Sequence, residues 1–249
     1  MNIILPEIIG TMLLILLGDG VVANVLLGKT KGNSAGWIVI TTAWAFAVFV
    51  GAYTAVTLGS GAHLNPAVTL GVLINSMMTG GTFTFTDAIY YWVGEFIGAF
   101  IGAVLVWVHY HPHWAETADP GLKLAVFSTG PAIRSTAWNL ISEIIGTFVL
   151  MYGIFAITGP TMGTGANAVP INMGALGILP VALLVWVIGL ALGGTTGYAI
   201  NPARDLSPRI AHAILPLPGK GSSDWGYSWI PVVGPLVGAA IAAILWVML

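Results

Sequence analysis

Long apolar runs separated by short polar stretches dominate the chain. Six of these runs reach the length, about 20 residues, that a helix needs to cross a hydrocarbon layer of roughly 30 Å. They predict membrane-spanning helices over 3–27, 37–58, 87–109, 137–158, 176–193 and 229–248. The first run follows Met1 almost directly and is too long for the core of a signal peptide, so it predicts a span and not a cleaved leader.

Two further apolar runs, 66–76 and 202–213, are too short to cross the membrane. Each begins at a proline, which is well tolerated at the first helical position because its missing N–H has no partner there anyway. At 1.5 Å per residue, each run predicts a half-helix of roughly 15 Å. Two half-helices placed end to end cover about one bilayer.

An internal repeat relates the two halves of the chain. The sequence EIIGT occurs at 7–11 and again at 143–147, which is an offset of 136 residues. The same offset carries the Asn-Pro-Ala sequence at 65–67 onto the second one at 201–203. The chain therefore reads as two copies of a unit with three spans and one half-helix.

An odd number of spans in each copy fixes the relation between the copies. The second copy must begin on the opposite side of the membrane, so the repeat is inverted, and the two half-helices meet with their N-termini near the midplane. Inverted repeats with broken helices indicate a solute pathway between the halves. The predicted organisation is a single channel domain, 1–249, made of a first repeat over 1–115, a linker loop over 116–136 and a second repeat over 137–249.

The composition narrows the class of protein. Only 6% of the residues are charged and 57% are hydrophobic, whereas a soluble domain has about 25% charged residues. The net charge of −2 gives no basic surface for nucleic acid, and the absence of cysteine removes thiol chemistry. Without a nucleophile–base pair or an HExxH sequence we expect no enzyme activity, no cofactor and no metal. The histidine-rich stretch HYHPHW at 109–114 lies where a span leaves the membrane, and no carboxylate or cysteine is close enough to complete a metal site. We therefore interpret it as an interfacial segment.

Two stretches resemble a known family. SGAHLNPAVTLG at 60–71 and TGYAINPARDLSPR at 196–209 are similar to the two signature loops of the aquaporin, or major intrinsic protein, superfamily, and the resemblance extends over essentially the whole chain. Asp205 and Pro231 resemble the bacterial glycerol facilitator, or aquaglyceroporin, branch. The resemblance implies an all-α membrane protein with six transmembrane helices and two re-entrant half-helices. It also implies a passive channel for glycerol, other small neutral solutes and water that excludes ions and protons.

The resemblance implies a role for several groups of residues. The selectivity filter is expected at Trp44, Gly189, Tyr198 and Arg204. The pore centre is expected at Asn65, Pro66, Ala67, Asn201, Pro202 and Ala203. Backbone carbonyls are expected to line the pore at Gly61, Ala62, His63, Leu64, Gly197, Ala199 and Ile200, and the loops are expected to be supported by Glu7, Glu143 and Asp205.

These residue types suit a neutral polyol. Trp44 and Tyr198 can cover its carbon face, and the five donors of Arg204 can hold its hydroxyl oxygens. A charge at membrane depth is costly and usually marks a pathway, which favours this reading of Arg204. Glu7 and Glu143, related by the repeat, are expected to accept unpaired backbone N–H groups of the signature loops.

Other functions remain open at this point. Within channels, a water-selective pore and a conduit for small undissociated acids such as lactic acid are the alternatives. An ion-coupled transporter needs intramembrane carboxylates, for which Glu7, Asp19, Glu95 and Glu143 are the candidates. The expected partners are glycerol, water, dihydroxyacetone, urea or lactic acid, and the lipid bilayer; the resemblance implies a homotetramer, and no nucleic acid is expected.

The orientation in the plasma membrane rests on the resemblance, which places both termini in the cytoplasm. The basic side chains of the connections then lie on the opposite side, contrary to the positive-inside rule. These residues are Lys29, Lys31, Lys123, Arg134 and Lys220. Two matched signature loops outweigh a bias in loop charge, so we retain the family orientation.

Overall fold

Six helices of the computed structural model are long and apolar enough to cross a membrane. The structure describes residues 3–159, 161–163, 169–171 and 173–249. The helices of the first half are α1 (Ile4–Leu26), α2 (Trp37–Thr57), α3 (Pro66–Thr79), α4 (Phe85–His109), α5 (His111–Ala115) and α6 (Pro120–Phe127). Those of the second half are α7 (Thr136–Ala156), α8 (Leu179–Leu192), α9 (Pro202–Ile214) and α10 (Ile230–Met248).

The six predicted spans correspond to α1, α2, α4, α7, α8 and α10, and their ends agree to within a few residues. A 3-10 helix, Gly174–Ile178, precedes α8 directly and completes the fifth span. Before it, a short antiparallel pairing joins β1 (Thr161–Met162) to β2 (Val169–Pro170). This pairing was not predicted, because strands of two residues leave no recognisable pattern in the sequence.

Both half-helices are present, and each begins at its Asn-Pro-Ala sequence. Asn65 and Asn201 are the N-cap residues, and the proline that follows each is the first helical residue. Helix α3 continues to Thr79, three residues beyond the predicted end, and stops at Gly80, whose φ of 71° is left-handed. Glycine adopts this conformation without steric cost and commonly ends helices.

The half-helices connect the two repeats by crossing between them. Helix α3, from the first half, packs on α10 of the second half, and α9, from the second half, packs on α4 of the first. The Ser207 hydroxyl of α9 donates to the Phe96 carbonyl of α4 at 2.9 Å. Each half-helix is thus held partly by the other repeat, so the junction of the halves lies at the centre of the bundle.

Close helix pairs at equivalent places hold each repeat together. Helix α1 packs along α4, and α7 packs along α10 in the same way. A Cβ added at Gly98 would lie 2.4 Å from the Ile8 carbonyl oxygen, and one added at Gly238 would lie 2.3 Å from that of Ile144. Small residues that let backbones approach closely are the usual basis of helix packing in membranes.

The predicted linker loop, 116–136, is partly helical. Helix α6 lies inside it, capped by Asp119, whose side chain accepts from the Gly121 N–H. Phe127, at the end of α6, is completely buried, and Thr129 is nearly so. The segment between the repeats therefore folds into the protein, where it reaches the candidate site.

Candidate functional site

The two capping asparagines lie where the half-helices meet. The Asn65 side-chain amide donates to the Ile200 carbonyl, and that of Asn201 donates to the Leu64 carbonyl, both at 2.8 Å. Each side-chain oxygen accepts the backbone N–H two residues on, at 2.9 and 3.0 Å. Because an amide carries two N–H donors, each asparagine keeps one donor beyond these bonds. The positive ends of both half-helix dipoles point at this junction.

Glu143 holds the loop that precedes α9. Its carboxylate accepts the Ala199 N–H at 3.0 Å, the Ile200 N–H at 2.8 Å and the Thr196 hydroxyl at 2.6 Å. Two successive N–H groups that converge on one anion form a backbone nest. Glu143 is buried, so these bonds stabilise the loop without competition from water.

Glu7 makes the equivalent contacts in the first repeat. Its carboxylate accepts the Leu64 N–H at 2.9 Å, the His63 N–H at 3.3 Å and the Ser60 hydroxyl. Each of these donors lies 136 residues before its counterpart around Glu143. The hydroxyl donors were not singled out from the sequence, although the repeat offset relates them.

Both signature loops contain non-glycine residues with left-handed φ, at positions related by the offset of 136 residues. Ala62, Leu64, Tyr198 and Ile200 have φ values of 53°, 52°, 40° and 43°. Left-handed φ is uncommon in non-glycine residues and persists where surrounding contacts enforce it. The N–H groups just before the asparagines point toward the glutamates, whereas the Leu64 and Ile200 carbonyls accept from the asparagine side chains. Of the predicted carbonyl residues, those that line a central cavity are Gly61, Ala62, His63, Leu64, Ala199 and Ile200.

That cavity has a volume of about 280 Å³ and is shared by both repeats. Both asparagines and Arg204 contribute polar groups to it. Its apolar lining includes Val48, Val68, Leu150, Ile154 and Val185. The cavity therefore offers hydrogen-bonding groups and hydrocarbon surface together, which suits a solute that has both.

Three of the four predicted filter residues meet at this cavity. The Arg204 guanidinium lies 4.3 Å from the centre of the Trp44 ring, which is a cation–π contact. Trp44, Tyr198 and Arg204 all line the cavity. Gly189 is not among the lining residues of the described chain; a Cβ there would lie 2.8 Å from Cζ of Tyr198. The absence of a side chain at Gly189 therefore makes room for the Tyr198 ring. It does not itself add space to the cavity.

The end of α6 and the residues that follow it support Arg204 and its neighbour Asp205. The Arg204 guanidinium donates to the Phe127 carbonyl at 3.3 Å. Asp205 accepts the N–H and the hydroxyl of Thr129, both at 2.7 Å, and pairs with Arg209 at 2.7 Å. Arg209 also donates to the Thr129 carbonyl at 2.9 Å. Sequence reasoning did not single out Phe127, Thr129 or Arg209 as part of the site.

The His63 side chain belongs to a buried network beneath the first loop. Its Nδ1 lies 2.9 Å from the Thr69 hydroxyl, which donates to Glu95 at 2.7 Å. The imidazole stacks on Tyr91, with the ring centres 4.0 Å apart. In the part of the chain that the structure describes, no cluster of three or more His, Asp or Glu side chains could hold a metal ion.

Six spans enclosing two half-helices that meet through paired asparagines define the aquaporin fold. The family model for the major intrinsic protein family matches residues 1–246, and the chain belongs to this family. It is therefore a multi-pass membrane protein, in agreement with the prediction from the sequence.

Relatives and a solved structure agree with this assignment. The chain is 53% identical to a probable glycerol uptake facilitator protein of Thermotoga maritima, with 99% of this chain and 98% of the relative covered. It is 52% identical to glycerol uptake facilitator protein 3 of Lactiplantibacillus plantarum, with 98% and 95% covered. The aquaglyceroporin structure from Plasmodium falciparum superimposes with a TM-score of 0.80 at 28% identity, covering 99% and 95% of the two chains. The predicted fold class and family are confirmed.

Proposed function

We propose that this protein is a passive channel for glycerol and other small neutral solutes plus water. The observation that carries the proposal is the cavity shared by the two repeats, in which Arg204, Asn65 and Asn201 face the same space as aliphatic and aromatic side chains. A polyol can place its hydroxyls on the polar groups and its carbons on the apolar ones. The names of the relatives, which are glycerol uptake facilitators, support glycerol as the main solute.

We assign the selectivity filter to Trp44, Tyr198 and Arg204, with Gly189 seating the tyrosine. Arg204 can donate to adjacent hydroxyl oxygens, and the aromatic rings can cover the carbon face. The pore centre is assigned to the paired Asn-Pro-Ala sequences, where each asparagine has an amide N–H left for a passing hydroxyl. Loop carbonyls at 61–64 and 199–200 provide acceptors along the way.

Exclusion of ions and protons follows from the same features. The half-helix dipoles place their positive ends at the asparagines, which repels cations there. Changing Arg204 to alanine removes a donor group and widens the filter, so we expect selectivity to loosen and some protons or cations to leak. A pH-sensitive dye trapped in proteoliposomes measures this leak, and an Arg204→Ala channel with wild-type selectivity would contradict the filter assignment.

The experiment that tests the function is a permeability panel. Proteoliposomes are mixed in a stopped-flow instrument with glycerol, urea or sorbitol, and their volume is followed by light scattering. We expect rapid glycerol uptake above protein-free vesicles and no uptake of sorbitol. Dihydroxyacetone and lactic acid extend the panel to the other candidate solutes. Water flow without any glycerol uptake would favour the water-selective alternative.

A coupled transporter is less consistent with the carboxylates in the structure. Glu7 and Glu143 are engaged by loop N–H groups, and Glu95 accepts from Thr69. These bonds favour a structural role over reversible ion binding, and Asp19, the fourth candidate, forms an ion pair with Arg204. Glycerol accumulation against a gradient, abolished by an uncoupler, is the result that would support a transporter.

We further propose that the two repeats form one channel unit in each chain, and that four chains assemble into a homotetramer with both termini in the cytoplasm. The cavity lies within one chain and draws on both repeats, so each copy has its own pathway. Exposed apolar side chains such as Ile38, Phe46 and Val50 suit contact with lipid or with a neighbouring copy. Cross-linking tests the assembly, and accessibility tags at each terminus test the orientation.

A further inference from the structure

Asp19 of α1 and Arg204 of α9 both depart from the internal repeat, because the residue at the equivalent position in the other half is uncharged. The residue 136 positions after Asp19 is Phe155, and the residue 136 positions before Arg204 is Val68. The buried loop glutamates occur twice, once in each repeat, whereas Asp19 and Arg204 each have an apolar counterpart. Asp19 and Arg204 carry opposite charges, and neither has a charged equivalent in the other repeat. This indicates that the two residues act together.

The structure brings these two residues into contact. Asp19 is completely buried, and Arg204 is 7% exposed. Their side chains form an ion pair, with Nη1 of Arg204 3.5 Å from Oδ1 of Asp19. Neither oxygen of Asp19 has a hydrogen-bond partner among the described residues. Burying a carboxylate is costly unless it is paired, so Arg204 is the group that makes this placement tolerable.

Gly18, the residue before Asp19, packs against Trp44, another residue of the proposed filter. A Cβ added at Gly18 would lie 2.4 Å from the Trp44 ring, so the indole packs directly against the α1 backbone. The same ring lies against the Arg204 guanidinium. The adjacent residues Gly18 and Asp19 therefore contact two members of the proposed filter, one by shape and one by charge.

The pairing changes the charge that a solute meets. A lone guanidinium in a low-dielectric pore attracts small anions, because charges interact more strongly there than in water. A carboxylate beside it offsets this attraction, while the remaining guanidinium N–H groups can still donate to neutral hydroxyls. A paired arginine thus discriminates between a polyol and a carboxylate ion better than an unpaired one.

We propose that Asp19 is a specificity-determining residue: it is the counter-ion of Arg204 and keeps small anions from occupying the filter. This inference rests on the proposed function, because it assumes that solutes pass Arg204. It assigns Asp19 no contact with the solute. Asp19 acts through the charge and position of the arginine.

The test uses Asp19→Asn, which keeps the shape of the side chain and removes its charge. Glycerol permeability of proteoliposomes is measured while sodium formate replaces sodium gluconate, a much bulkier anion, at constant ionic strength. We expect the wild-type flux to be insensitive to formate. In Asp19→Asn, formate is expected to inhibit at a concentration at least about tenfold below any that affects the wild type, because the arginine charge is no longer offset by the carboxylate 3.5 Å away.

Asp119→Asn is the matched control. It removes one carboxylate from an exposed helix cap whose function asparagine can also perform, so its response to formate should be that of the wild type. The proposal is overturned if Asp19→Asn is as insensitive to formate as this control. Osmotic water flow is recorded in the same vesicles, so the inhibition can be judged even if glycerol is not carried.

A second variant covers the case in which Asp19→Asn does not fold. Asp19→Ser places a smaller neutral side chain at the same position and also leaves Arg204 without its counter-ion, so formate should inhibit its glycerol and water flux as well. A merely structural role for Asp19 predicts lower stability without inhibition by formate. Insensitivity of a folded Asp19→Ser channel to formate would overturn the proposal.

Discussion

The buried carboxylate of Glu143 can be tested by removing half of its accepting capacity. Glu143→Gln replaces one carboxylate oxygen by an NH2 group, which can only donate. The carboxylate accepts the Ile200 N–H with one oxygen, and the Ala199 N–H and the Thr196 hydroxyl with the other. The Thr196 hydroxyl can rotate to accept from the new NH2 group, but the backbone N–H groups cannot.

Either orientation of the glutamine amide leaves one backbone donor unmet. If the amide oxygen faces Ile200, the NH2 group faces the Ala199 N–H; in the flipped orientation the Ile200 N–H loses its acceptor. A buried N–H without an acceptor costs about 1–3 kcal/mol. For a chain of this size, that corresponds to a fall in melting temperature of about 2–12 °C.

The assay is thermal unfolding of the purified protein, followed by glycerol permeability in proteoliposomes. We expect a lower melting temperature and a lower glycerol flux, because the loop that contributes the 199–200 carbonyls loses part of its support. Glu116→Gln is the control, since this exposed glutamate pairs with Lys29 at the surface, and such pairs contribute only about 0–1 kcal/mol. A Glu143→Gln channel with unchanged melting temperature and flux would refute the reasoning.

Two further predictions concern glycines at close approaches. Gly98→Ala places a methyl group against the backbone of α1, so we expect unfolding to become easier by about 1–3 kcal/mol; Gly20→Ala, in open space on α1, should not destabilise the protein in the same thermal assay. Gly189→Ala pushes the ring of Tyr198 toward the cavity, so glycerol permeability should fall more than water permeability. Gly194→Ala, with no atom near the added methyl, is its control, and equal losses of both fluxes would contradict a narrowed filter.

The spans and half-helices could be predicted because their signals are local. Apolar length identifies a span, and a proline after asparagine identifies the start of a half-helix. The end of α3 was predicted three residues early, because the apolar run stops at Ser76 while the helix continues to the left-handed Gly80. Helix α6 was not predicted, because a short helix in a polar connection has no membrane-length signal.

The part of the site that sequence reasoning missed depends on contacts between distant residues. Phe127 and Thr129 reach Arg204 and Asp205 from about 76 residues away, and no local pattern reveals such a contact. The hydroxyls of Ser60 and Thr196 are different, because the repeat offset relates them as it relates the two glutamates. Left-handed φ at alanine, leucine, tyrosine and isoleucine has no sequence signal, since it is imposed by the surrounding structure.

The central claim is that neutral solute passes through this protein while charge does not. The most direct test measures both in the same proteoliposomes: glycerol-driven volume change by light scattering, and proton leak by a trapped pH-sensitive dye under an imposed potassium diffusion potential. We predict glycerol uptake well above that of protein-free vesicles, with a proton leak equal to theirs. A proton leak that rises with glycerol flux, or vesicles no more permeable to glycerol than protein-free ones, would contradict the account.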